Sequence, residues 1–126
     1  MTFLPLQDRE YLESKAFVFQ EIVDGQSKGI ILPKFRLPVQ KYDVEQVDLL
    51  ILLPSGYPDV APDMFYLEPW IKLVQGNRYP KATQSRLSFN GRSWQRWSRH
   101  NNEWRRGVDG IWTMLKRVEH ALEVAA

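Results

Sequence analysis

The chain has 126 residues, 44% of them apolar and 25% charged, with a net charge of +2; this is the composition of one ordinary globular domain, long enough to bury a core without staples. It has no cysteine, which excludes disulfides, a thiolate nucleophile and any cysteine-ligated metal, and two histidines, His100 and His120, are too few for a His-rich zinc site. Across residues 72–106 nine Lys or Arg stand against Glu103 alone, so that segment carries +8 and the rest −6, which suits either an acidic partner or a solvated loop neutralised by the acidic half.

The first residues lack the basic and apolar regions of a signal peptide. No apolar run approaches the roughly 20 residues of a spanning helix, so a cytoplasmic location is the expectation. Residues 7–14 read as a short helix with Tyr11 and Leu12 as its apolar contacts and Asp8 and Glu10 near its N-terminus. Residues 17–23 alternate with Phe17, Phe19 and Val23 on one side, Asp24-Gly25 signals a turn, and 28–37 read as the next strand. Pro33 inside that run implies an edge or a bulge. Residues 47–53 are nearly continuously apolar, the pattern of a central strand covered on both faces. Three prolines within residues 54–62 then make a stiff, non-helical crossing, and 64–67 form a fourth short strand.

Residues 72–92 are polar and poorly patterned, and read as a long loop. Residues 93–106 hold three of the five tryptophans, four arginines and His100, with no sustained apolar period, and read as a packed irregular segment. Beyond it Val108, Ile111, Leu115, Val118 and Leu122 recur at spacings of three and four, one face of an amphipathic helix with Lys116, Arg117, Glu119 and Glu123 outward. Trp112 flanks that stripe as a core residue, and His120 falls among the polar positions. Helix, four-stranded meander, long loop, helix makes an α+β fold in one domain, residues 1–126, with the last helix laid on an antiparallel sheet.

That order, with Tyr57-Pro58 and Pro62 following the third strand, resembles the ubiquitin-conjugating-enzyme (UBC) fold and its RWD relatives. The resemblance is closer to a prokaryotic branch, carried by residues 53–66, by Trp-Gln-Arg-Trp-Ser-Arg-His at 94–100, and by Trp-Arg-Arg-Gly-Val-Asp at 104–109, although members of that branch typically carry proline where Arg106 stands. It implies a structural role for Tyr57, Pro58, Pro62 and Trp104. It also implies a place in a bacterial ubiquitin-like modification pathway, with a ubiquitin-like protein (often tandem), a ThiF-type activating enzyme and a JAB-type metalloprotease as partners; the chain's own residues lead to the expectation of no cofactor or metal. The departures are the missing thioester cysteine, the missing His-Pro-Asn flap, and the missing C-terminal helices of longer conjugating enzymes.

Aligned on Trp104, the place of the lost cysteine falls in or near residues 94–98, which makes Ser93, Ser98 and His100 the candidates for replacement chemistry. If the segment is extended, Ser98 and His100 point to one side; His100 then serves as base for a Ser98 oxyester, or acts alone as general base or acyl carrier. Asp109 is the carboxylate available to orient His100, or else a residue of a helix N-terminus. The alternative is that His100 bonds a loop carbonyl and Ser98 closes a turn. Trp94, Arg96, Trp97, Arg99, Asn101 and Trp104 are the candidate binding residues, the tryptophans chiefly as packing that fixes the loop. Three functions follow: an E2-like protein that binds modifier or activating enzyme without a thioester, an active transferase using Ser98 or His100, and, ranked last, a single-stranded nucleic-acid-binding domain with aromatics for stacking.

Overall fold

A computed structural model describes residues 2–100 and 103–126. Helix α1 (Leu6–Ser14) is followed by β1 (Gln20–Asp24), β2 (Ser27–Arg36), β3 (Gln46–Leu53), β4 (Phe65–Glu68), β5 (Ser85–Phe89), β6 (Arg92–Trp97) and α2 (Ile111–Val124). The strands form one antiparallel sheet in the order β1-β2-β3-β4-β6-β5. The expected α+β arrangement, with a helix at each end of the chain's sheet, is present, but the sheet has six strands rather than four. The chain leaves β4, crosses to the outer edge as β5, and returns as β6 beside β4.

The two additional strands come from segments read as a loop and as irregular structure. Their hairpin turns at Asn90-Gly91, both at positive φ (54° and 71°). A two-residue turn with both φ positive matches the right-handed twist of the flanking strands, and Asn-Gly is the pair that adopts it most readily. Elsewhere the register follows from local chemistry. Pro33 has no N–H to give a ladder, and the β2–β3 register shifts between Leu32 and Phe35, so the bulge option holds while β2 itself lies inside the sheet. The first strand begins at Gln20, later than the alternation from Phe17 suggested. The chain is still leaving α1 at Phe17, whose N–H donates to the Leu12 carbonyl while Ala16 at φ 59° donates to Glu13. This is a Schellman ending with alanine at the left-handed position.

Strand alternation sorts the core into two layers. Leu49 and Ile51 of β3 join Phe65, Leu67 and Trp97 beneath Ile111, Met114, Leu115, Val118 and Leu122 of α2. Leu50 points the other way, with Ile31, Tyr66, Phe89 and Trp94. Each such side chain withdrawn from water contributes about 1.5–3 kcal/mol before entropy is counted. Val108 is not part of the α2 stripe: it is exposed and precedes the helix, because the chain turns at Gly107 (φ 80°) with Val108 and Asp109 both donating to the Arg105 carbonyl.

The Tyr57, Pro58 and Pro62 segment ties both helices to the sheet. The Tyr57 hydroxyl donates to the Asp8 carboxylate in α1, whose other oxygen accepts from the Ile111 N–H at the start of α2. The Trp104 indole donates to the Pro58 carbonyl at 2.9 Å, its ring 6.4 Å from that of Tyr57. Pro62 is buried, and Arg106 reaches Asp59 at 3.4 Å.

Candidate functional site

The irregular run breaks into a strand and an exit. In β6 the alternation buries Trp94 on one face of the sheet and Gln95 and Trp97 on the other. The Gln95 amide makes three hydrogen bonds: its oxygen accepts from the Ile71 N–H and the Trp97 indole, and its nitrogen donates to the Ile71 carbonyl. Trp97 stacks on Phe65 at 5.4 Å, and Trp94 donates to the Phe89 carbonyl beneath the Arg92 guanidinium. Both indoles are 0% exposed, so they shape the site from within and offer no ring face to a ligand. Arg96 stands opposite Tyr66 in the β4–β6 ladder, and Asn101 lies outside the described residues.

Where β6 ends, the chain runs beside Asp63, just before β4. Arg99 lies over the Trp97 ring at 5.0 Å and donates to the Lys81 and Ser98 carbonyls; burial lowers its pKa. His100 follows, exposed, with Nδ1 2.8 Å from the carboxylate of Asp63. An ionised carboxylate only accepts, so Nδ1 carries the proton in this pair and Nε2 keeps the lone pair of the neutral ring.

This pair borders a groove of about 440 Å³. Its floor is apolar, made by Phe65, Met114, Ala121 and Val124, and its rim is cationic, with Arg99, Lys116 and Arg117. His120 faces the same space, so the fold brings the two histidines to one groove from separate elements. Arg117 lies 5.3 Å from the centre of the Trp104 ring and donates to the Glu103 carbonyl. Lys116 and His120 have no hydrogen-bond or ion-pair partner among the described residues.

The other nucleophile and acid candidates lie elsewhere. The Ser98 hydroxyl contacts the Met64 sulfur at 4.0 Å, its N–H donates to the Ala82 carbonyl, and it lines a separate depression with Arg78 and Tyr79. Strand pairing of β6 ends at Trp97, and beyond it the Ser98 and His100 side chains take different partners and line separate depressions. Ser93 pairs with Ser88 near the hairpin turn. Asp109 holds the start of α2, accepting from the Arg105 N–H at 2.7 Å, the Arg105 guanidinium at 3.0 Å and the Thr113 hydroxyl at 3.0 Å. The Arg105 hydrogen bond above all draws its pKa down to about 2. Of the two roles open to Asp109, the helix terminus is the one it occupies; the carboxylate beside His100 is Asp63.

A model of prokaryotic E2 family E matches residues 4–125. The chain belongs to that family. No curated protein and no solved structure matches it. Family membership makes the chain an E2-like component of a bacterial conjugation-type system. Prokaryotic E2 family E is represented here by a chain without a thiol, and among the described residues no group of three His, Asp or Glu is placed to hold a metal. No helix among them is long and apolar enough to cross a membrane. Of the groove residues the sequence singled out Arg99 and His100 as site candidates, and not Asp63 or the wall contributed by α2. Thr113, His120 and Val124, with Lys116 or Arg117 between the first two, are spaced by three or four along α2, a signal that could have found the helical wall.

Proposed function

We propose that this E2-family chain acts as a cysteine-free conjugating-enzyme-like protein that binds a ubiquitin-like modifier, its ThiF-type activating enzyme, or both, without holding a thioester. The observation that supports this most is the separation of the alternatives to sulfur. Ser98, the hydroxyl nearest the expected place of the cysteine, has its oxygen on Met64 and no base hydrogen-bonded to it among the described residues, and an unactivated serine is a poor nucleophile. What remains accessible is an apolar groove with a cationic rim, a surface for recognition. A JAB-type metalloprotease is the further pathway partner that this reading expects.

One observation favours a second reading, transfer through His100. The Asp63 carboxylate fixes the imidazole tautomer and orientation and would stabilise an imidazolium, the arrangement that makes Nε2 useful as a general base toward a lysine amine or as a transient acyl carrier.

Incubation with purified modifier, activating enzyme and ATP tests both. Co-elution of a complex with no covalent adduct is the result expected. An adduct that resists thiols, yields to hydroxylamine and disappears in His100→Ala would replace the first reading with the second. Failure to co-elute with either protein, with no adduct, would overturn both. Single-stranded nucleic-acid binding calls for exposed ring faces, and the burial of Trp94 and Trp97 removes the two most central ones.

A further inference from the structure

We infer that the groove between α2 and the start of β4 takes a short acidic peptide segment of the partner protein, seating an apolar side chain on its floor and carboxylates on its rim. The inference rests on the proposed partner-binding role and specifies the chemistry of the segment bound. Size comes first. About 440 Å³ is the scale of a pocket for a small ligand or a few residues of extended chain. It is too small for a folded surface to enter.

Charge then selects among segments. Arg99, Lys116 and Arg117 line the groove against one carboxylate among the described lining residues, Asp63, and that carboxylate already faces His100. Lys116 has no ion-pair partner among the described residues and stands exposed on α2 one residue from Arg117. A basic segment would meet like charge from Arg99, Lys116 and Arg117, whereas an acidic one supplies Lys116 with the counter-ion it lacks among the described residues.

The floor adds the second requirement. Phe65, Met114, Ala121 and Val124 reach the groove from a strand and a helix of one rigid core, and Val124 is 60% exposed. An apolar anchor on the ligand would cover that surface, and methionine adapts its shape to what it covers. A polyanion with no apolar group would satisfy the rim and leave the floor wet. The class selected is therefore acidic residues flanking a leucine or phenylalanine, not a phosphate.

The test is a titration of the isotope-labelled full chain, followed by amide chemical shifts, with three blocked peptides: Glu-Leu-Glu-Phe-Glu, its lysine counterpart Lys-Leu-Lys-Phe-Lys, and the floor-less control Glu-Ser-Glu-Ser-Glu. Saturable shifts at Asp63, Phe65 and the 113–124 wall with the first peptide alone are expected. Lys116→Glu, an exposed change that leaves the core intact, should weaken that binding by about five- to tenfold, and Val124→Trp should block it by filling the floor. Equal response to the acidic and basic peptides, no response at millimolar acidic peptide, or indifference to both substitutions would each overturn the inference. If these fail while the modifier or activating enzyme still co-elutes with the chain, the inference falls and the proposed function stands on another surface.

Discussion

The side chain of Gln95 fills the role of a strand residue that the backbone does not supply. Ile71 has no ladder partner of its own at that point, and the amide gives it both an acceptor and a donor, at 3.0 Å and 3.1 Å, in a site closed to water. Leucine at position 95 would fit the volume and leave the Ile71 N–H and C=O and the Trp97 indole unpaired. Buried groups that lose their partners cost about 1–3 kcal/mol each, with partial relaxation, so Gln95→Leu should lose about 2–4 kcal/mol in urea unfolding. A loss under about 1 kcal/mol would mean that these groups find other partners. Gly110 is fixed by a different constraint. Its φ of −160° suits any residue, but a Cβ there would lie 2.6 Å from the Trp112 ring and 2.7 Å from an Asp8 oxygen. Gly110→Ala must push the Asp8 carboxylate off the Ile111 N–H, and should cost about 1–3 kcal/mol by the same measurement.

Among the elements, α1 ends in a way that a single change can improve. Alanine at φ 59° carries the steric penalty of a left-handed Cβ, which glycine does not. Ala16→Gly should therefore raise the thermal midpoint, by about 0.5–1 kcal/mol of stability; a lower midpoint would show that the added freedom of the unfolded chain outweighs the relief. The β5–β6 hairpin shows what the sequence contained and where pattern misled. Asn90-Gly91 is a strong local turn signal, yet Ser88, Ser93 and the many basic residues around it hide the alternation, and a buried glutamine at 95 breaks the apolar face. Periodicity found β3 and α2, whose apolar residues follow the geometry of a helix or a covered strand, and it stopped short where polar side chains are buried by pairing. The site was legible to a similar depth. His100 is conspicuous in sequence, but its partner Asp63 lies 37 positions away and meets it only because β4 and β6 are neighbours. Asp109, nearer in sequence, is held by Arg105 four residues before it.

The whole molecule is tied across its helix ends by ionisable groups, and their shifts set its response to pH. At the acid end two carboxylates at the start of α2 act with opposite sign. Asp109, drawn down to about 2 chiefly by Arg105, contributes stability that is full above the ordinary carboxylate range and is lost as pH falls toward 2. Asp8 is pushed up by burial, against the hydrogen bonds from Tyr57 and Ile111, so protonation there favours the folded state. At the alkaline end three tyrosines act with one sign, against Lys41, whose pKa burial lowers. The Tyr42 hydroxyl donates to the Leu122 carbonyl near the end of α2, joining the β2–β3 connection to the helix, and burial pushes its pKa up to about 12; Tyr57 and Tyr66 are raised as well, chiefly by burial. The unfolded chain releases a tyrosine proton near about pH 10, while the folded chain keeps it. Stability from Tyr42 is therefore fully present below about pH 10 and falls as pH rises to 12, at a slope of about 1.4 kcal/mol per pH unit for one retained proton. Tyr42→Phe should lower stability at neutral pH by about 1–2 kcal/mol, through the unpaired Leu122 carbonyl, and should make the alkaline loss shallower by that one proton. Urea unfolding of both proteins from neutral pH to pH 12 would reveal the difference, and parallel curves would mean that the Tyr42 phenol ionises as freely in the folded chain as in the unfolded one.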